Sequence, residues 1–404
     1  MSQPLDLAAL QASPAPASFK DAWQARLERW YAHPGLYRWS LRNPFTRWLT
    51  RRRTRQLFDL MAGFVHSQVL LGCVRLDLFR ALHQAPASLT DLARHTGLAP
   101  AVLQRLLLSA VALGLLEHRS HQRFGLGPLG VPLAQHDGIA QMIEHNHLLY
   151  QDMQDPLQFL NNAWSGGMAE YWPYAHEKPA VAMPASEVDK FTRYSQLMAA
   201  SQGFVVQEIL SSYFFDEHRC VLDVGAGKGR FVSELAAHAP HLQFKMFDLP
   251  PVLALAREGL QAKGLMERVS LHPGSFLDDP LPEGADLITL VRVAHDHPDA
   301  VVRQILQKAH AALPVGGVLL LAEPMAQPDE EAGQAEASVD AYFHFYLLAM
   351  GAGRLRTPQE LQTMMQEAGF THVEQVPNAM PIHARILVGR KSQCLPLVSV
   401  KTVN

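Results

Sequence analysis

Leu222-Asp223-Val224-Gly225-Ala226-Gly227-Lys228-Gly229-Arg230-Phe231 closes a short apolar run and opens an amphipathic one. An apolar run, a glycine turn and a helix in that order form the joint of a βα unit. Glycines there let the chain turn sharply and let its backbone approach a ligand. Gly-x-Gly alone also fits an ordinary tight turn. A dinucleotide fingerprint needs a third glycine three residues after the second, and Gly229 follows Gly227 by only two. Downstream the same rhythm continues. The runs VLDVGAG, QFKMFDL, VSLHPGSF, ADLITLVRV, VLLLAEP, HVEQV and ARILVGR alternate with amphipathic helices. This predicts an α/β domain over residues 211–392, a mostly parallel, doubly wound Rossmann-like sheet. Ligands in such sheets sit beyond the C-terminal strand ends.

Two acids at those ends define a ligand. Asp223 stands two residues before Gly225. A carboxylate beside a pyrophosphate would be repelled, whereas one beside an amino-acid ammonium group is attracted. Asp248 ends the next run, 23 residues after Gly225, where an acid accepts hydrogen bonds from ribose hydroxyls. A ribose, a cationic amino-acid tail and no phosphate describe S-adenosylmethionine. The third run ends at Gly274-Ser275-Phe276, where an adenine can lie against Phe276.

The run ADLITLVRV leads into Ala294-His295-Asp296-His297-Pro298. Methyl transfer needs the acceptor positioned and its proton removed. His295, just past a strand end, is the expected general base. Glu323 ends the following run and is expected to orient that imidazole and stabilise its cation. The alternative is a metal on His295-x-His297 or His145-x-His147, but neither pair has an obvious third ligand, so no metal is expected.

The whole chain has 404 residues, enough for two or three domains at about 150 residues each. Its net charge of −3 gives no global sign of nucleic-acid binding. Three scattered cysteines form neither a disulfide framework nor a metal knuckle and fit a reducing compartment, so a cytoplasmic protein is expected. With no unbroken apolar run of about 18 residues, no membrane-spanning helix is expected, and the N-terminus does not read as a secretory signal. The average hides an asymmetry. Residues 1–56 hold ten Lys or Arg against three acids, a balance of +7, and four of the six tryptophans, Trp23, Trp30, Trp39 and Trp48. Such an arm either packs on protein, its Arg stems covering apolar surface, or meets a membrane interface. Residues 57–135 read as several helices and a hairpin, a winged-helix module whose apolar second helix (101–116) suits burial in a dimer better than a DNA groove. Residues 136–210 read as a helical linker and cap, and 393–404 as a tail. The helix 341–350, apolar on every face, and the spaced set Phe191, Tyr194 and Met198 are expected to line an apolar acceptor pocket, with Phe343, Tyr346 and Met350 contributed by the former.

LDVGAGKGRF, FDLPPV, LVRVAHDH, LLLAEP and GRLRTPQEL together resemble the small-molecule O-methyltransferases related to the caffeic acid and acetylserotonin enzymes, over roughly residues 57–390. The resemblance implies a class I methyltransferase fold behind a dimerisation domain, hence a homodimer. It implies a donor site that adds Leu249 and Arg292 to the residues above, with His295 as base and Glu323 as its partner. FDLMAGFVHSQVL, LVRVAHDHPD and VDAYFHFYLLAMGAGRLRT resemble more narrowly the bacterial carotenoid O-methyltransferases, which methylate the C1 hydroxyl of acyclic hydroxycarotenoids such as demethylspheroidene. The implied partner is thus an apolar small molecule. Two departures stand out: Leu355 replaces a second catalytic Glu of the plant relatives, and Ser275 replaces an Asp at the adenine. A phenolic or polyketide acceptor, a DNA-binding regulator with a relic donor site, and a non-catalytic dimerising scaffold remain as alternatives.

Overall fold

The computed structural model describes residues 19–161, 166–171, 202–327, 334–381 and 384–392. Phe191, Tyr194 and Met198 lie outside the described residues, as does the tail 393–404.

Three helices open the chain: α1 (Phe19–Tyr31), α2 (Pro34–Arg42) and α3 (Pro44–Arg75). Asn43 caps α3 by accepting the Phe45 N–H at 3.0 Å, and Pro44 takes the first helical position, where no donor is missed. The helix then runs unbroken through residues 56 and 57, where a domain boundary was expected, because no proline or turn signal interrupts it. The apolar stretch 58–82 breaks at Asp77, whose left-handed backbone (φ 52°) separates α3 from α4 (Leu78–Gln84). Among the described residues α3 is the one helix long and apolar enough, by length and composition, to cross a membrane. No unbroken apolar run marks it in the sequence, because Gly63, His66, Ser67 and Gln68 dilute the stretch.

β1 (Ala87–Ser88), α5 (Leu89–Thr96), α6 (Pro100–Ala112), β2 (Leu116–Arg119) and β3 (Arg123–Leu126) follow in the expected order, with β3 between its two partners. Ser88 caps α5, and Gly97 (φ 71°) ends it. α6 is covered on one side within the chain. Leu103, Leu107 and Ala110 enter the module's core, but Val102 and Leu108 on its other side are exposed. Within one chain, only one face of this apolar helix finds a partner.

All seven apolar runs form strands of one sheet: β4 (Cys220–Val224), β5 (Gln243–Asp248), β6 (Val269–Pro273), β7 (Leu287–Val291), β8 (Val318–Glu323), β9 (Thr371–Val376) and β10 (Arg385–Arg390). Their order is β6-β5-β4-β7-β8-β10-β9. The first five are parallel, and β10 runs antiparallel to both neighbours. β7 and β8 are buried at every residue, as strands covered on both faces require. The chain winds outward from β4 in one direction and from β7 in the other, so the crevice that can take a ligand opens between them. The segment before β4 supplies the helices 137–152, 156–161 and 167–171. Their Leu149, Phe159 and Met168 pack with Tyr346, Leu347, Met350 and Leu355 of the catalytic domain.

Gly225, first residue of the turn after β4, shows how tightly that crevice is built. Its φ is 70°, and an added Cβ would meet Val293 Cγ2 at 2.7 Å. Gly225→Ala is expected to destabilise the chain by about 1–3 kcal/mol. Urea denaturation measures this, and an unchanged midpoint would contradict the strained geometry.

Candidate active site

Asp223 and Asp248 lie at neighbouring strand ends, both buried. Thr289 Oγ1 of β7 donates to Asp223 Oδ1 at 2.8 Å. Asp248 accepts the Gly227 N–H at 2.8 Å through Oδ2 and the Leu249 N–H at 2.7 Å through Oδ1. Burial pushes the Asp223 carboxyl up to about 7, against the Thr289 hydrogen bond and helped by the charge of Asp248. Burial likewise raises Asp248 to about 6 despite its two backbone donors. A ligand with an ammonium group and hydroxyls would relieve both carboxylates, which is the donor set expected for S-adenosylmethionine. Gly227 (φ 56°) opens on free space, with nothing within 4 Å of where a Cβ would stand. The residues therefore fit such a ligand.

The other edge of this region is the loop after β6. Ser275 Oγ accepts the Leu277 N–H at 3.2 Å, and the Ser275 N–H donates to Asp279 Oδ2 at 2.8 Å. Lys308 Nζ braces the loop from below, donating to the carbonyls of Phe276, Leu277 and Asp279. Phe276 is half-buried and meets the ring of His297 edge-on, centroids 5.2 Å apart.

β7 leads into the turn that carries His295. Arg292, in the left-handed region (φ 57°), donates its N–H to Ala322 O at 2.9 Å and turns the chain out of the sheet. In the parallel register Val291 pairs with Ala322, so Glu323 emerges beside residues 293–295. Its Oε1 accepts the N–H groups of Val293 (2.8 Å) and Ala294 (2.7 Å), and its Oε2 lies 2.5 Å from His295 Nδ1. His295 and Glu323 are thus brought together as their strand-end positions suggest. Asp296, which sequence reasoning passed over, places Oδ1 3.3 Å from His295 Nε2. Burial opposes a charged His295, but Asp296 and Glu323 on either side outweigh it, and the pKa rises above the ordinary 6.5. His297 is pushed the other way, to about 4, first by burial and then by His295. His145 bonds Tyr346, and among the described residues no group of three could hold a metal.

A clamp that sequence reasoning also missed holds this turn from outside. Arg356, almost fully buried, donates to Ala294 O (2.9 Å), His297 O (2.7 Å) and Asp299 Oδ1 (2.8 Å). Arg354 pairs with both oxygens of Asp299 at 2.9 Å. Gly353 lets the chain pass so close that a Cβ there would stand 2.0 Å from His295 O.

Residues 150–371 match the O-methyltransferase domain family and residues 58–135 the O-methyltransferase dimerisation domain. A demethylspheroidene O-methyltransferase of Rhodobacter capsulatus is 39% identical, covering 86% of this chain and 84% of that protein. One from Cereibacter sphaeroides is 38% identical, covering 84% and 88%. The chain belongs to the S-adenosylmethionine-dependent O-methyltransferases. Acetylserotonin O-methyltransferase of Mus musculus is 27% identical over 82% of this chain and 88% of that one. The crystal structure of human N-acetylserotonin methyltransferase in complex with SAM superposes with a TM-score of 0.67 at 22% identity, over 84% of this chain and 98% of that one, and so shares the fold.

In this O-methyltransferase the expected pocket residues divide. Phe343 and Leu355 line a small cavity together with Met325 and Asp340. Tyr346 and Met350 are core residues instead, each 3% exposed, because their side of the helix faces the segment 137–171. That helix, Gln334–Met350, is not buried all round, since His344 and Phe345 are exposed. Tyr342 OH donates to Asn146 at 2.9 Å, adding a polar contact to an aromatic wall.

The Arg354 hydrogen bond, followed by that of Arg356, holds the Asp299 carboxyl down at about 2. A carboxyl depressed in the folded state stabilises it above the unfolded pKa of about 4, and the gain is lost as pH falls through the folded value. The urea midpoint of the wild-type enzyme should therefore fall more steeply with acid than that of Asp299→Asn, the two converging near the bottom of that range. Parallel curves would contradict the clamp.

Proposed function

We propose that this O-methyltransferase methylates the C1 tertiary hydroxyl of an acyclic hydroxycarotenoid of the demethylspheroidene type, in carotenoid biosynthesis. The carrying observation is the imidazole of His295 held by Glu323 beside the carboxylate-and-glycine crevice, with Phe343 and Leu355 in the lining of a cavity that also takes in Asp340. The curated relatives at 38–39% identity are named for that reaction.

Asp223, Gly225, Gly227, Asp248, Leu249, Ser275, Phe276 and Arg292 would hold S-adenosylmethionine. When bound, it supplies a methyl group activated by its sulfonium. Glu323 keeps the proton of neutral His295 on Nδ1, leaving the Nε2 lone pair for the acceptor. The acceptor hydroxyl would approach Nε2 and give its proton to it, while its oxygen takes the methyl group and the sulfonium leaves as a neutral thioether. A tertiary alkanol is far less acidic than a phenol, so proton removal and methyl transfer proceed together. The raised pKa of His295 makes it the stronger base for that step. Phe343 and Leu355 line the acceptor's path, and Tyr346 and Met350 back it. The exposed face carrying Leu57, Phe58, Leu60, Met61, Val102 and Leu108 is where a second copy would pack to form a homodimer.

Labelled S-adenosylmethionine, offered with a 1-hydroxylated acyclic carotenoid in detergent and with simple phenols, should label the carotenoid. Label in phenols alone would overturn the acceptor while retaining the donor site. His295→Ala should lower turnover about 10²-fold or more. For the wild type, kcat/KM should rise with pH through a midpoint above 6.5, since the neutral imidazole is the working form. Glu323→Gln removes one of the two charges that raise that pKa, so the midpoint should move down. An unmoved midpoint would contradict His295 as the base.

A further inference from the structure

The opening helices present a surface that the methyl-transfer chemistry does not use. Residues 19–56 carry ten Lys or Arg against only Asp21 and Glu28. At 3.6 residues per turn, Phe19, Trp23, Arg26 and Trp30 of α1 fall in one stripe, Lys20 and Arg29 flank it, and Asp21 and Glu28 fall on the opposite side. Phe19 is 89% exposed and Trp23 56%. α2 and the start of α3 repeat the chemistry. Thr50 Oγ1 donates to Ser40 Oγ at 2.9 Å and Thr46 Oγ1 to Ser40 O at 3.0 Å, so small polar groups face the seam between the helices. Trp39, Phe45 and Trp48 are left outside, with the Arg52 guanidinium 5.7 Å from the centroid of the Trp48 ring.

We propose that α1, α2 and the first turns of α3 form a docking surface for an anionic lipid bilayer. Indole rings settle at headgroup depth with an apolar body inward and an N–H toward water. Guanidinium and ammonium groups around them meet lipid phosphates, and the acids of α1 lie on the far side of the helix. This is the pattern of a helix lying in the interface plane. The neighbouring surface differs in kind. From Leu57 to Val74 the only acid or Lys/Arg side chain is Asp59, and that uncharged apolar stretch suits a second copy of the chain. The molecule thus separates a lipid-facing surface from a protein-facing one. The inference stands on the arm's own surface and does not require the carotenoid.

Flotation of the full chain with phosphatidylcholine vesicles, with and without phosphatidylglycerol, tests it. The chain should float with the anionic vesicles, release as salt is raised, and show a blue shift in tryptophan emission on binding. Trp23→Ala combined with Trp30→Ala should weaken that binding about tenfold or more, with molar mass and methyl transfer to a detergent-dispersed acceptor unchanged. Absence of the wild type from the anionic fraction would overturn the proposal, as would equal, salt-insensitive flotation with neutral vesicles. A double variant that loses oligomeric mass but keeps its vesicle binding would assign the surface to a second copy instead. The vesicle readout involves no catalysis, so its failure would leave the proposed reaction standing.

Discussion

The catalytic centre depends on one carboxylate. Glu323 spends one oxygen on the N–H groups of Val293 and Ala294 and the other on His295 Nδ1. The same group therefore fixes the backbone turn and the imidazole that rides on it. A buried carboxylate is costly unless its lone pairs are filled, and here three donors fill them. This arrangement is possible because β7 and β8 are parallel neighbours in a register that sets Glu323 beside the exit from β7. It also fixes the proton inventory. With Glu323 on Nδ1, only Nε2 can exchange a proton with an acceptor, and Asp296 stands beside that atom.

The turn that carries His295 is gripped from two sides. Glu323 holds it from the sheet, and Arg356 holds it from the loop after the helix Gln334–Met350 by bonding the carbonyls of Ala294 and His297. That second grip ties the His295 turn to the packing of the helix Gln334–Met350, since Leu355 is adjacent in the chain and packs with Tyr346 and Met350. The donor side is stiffened separately, by Thr289 on Asp223 and by Lys308 under the Phe276 loop.

Much of this architecture was legible in the sequence. Each strand of the sheet is a short apolar run between glycines, prolines and amphipathic stretches, and strands buried on both faces carry that signal plainly. His295 and Glu323 could be found because both stand at the ends of such runs. Arg356 and Asp299 could not, because their contact spans 57 residues and a loop arginine reads as a solvated one. Asp296 was hidden by its neighbours, since His295 and His297 drew attention to metal spacing. The long helix α3 crosses an expected boundary because charge changes at residue 56 while helix propensity does not. α6 shows the limit of reading burial from composition: an apolar helix can be half-covered in one chain and await a second. The same limit applies to Tyr346 and Met350, whose residue types cannot distinguish a pocket wall from the core behind it.

Nitrogen chemical shifts of the His295 imidazole, followed across pH in the wild type and in Glu323→Gln, test the account most directly. The account predicts a neutral form with its proton on Nδ1, an apparent pKa above 6.5 in the wild type, and a lower one in the variant. A neutral form carrying its proton on Nε2, or a wild-type pKa below that of the variant, would contradict it.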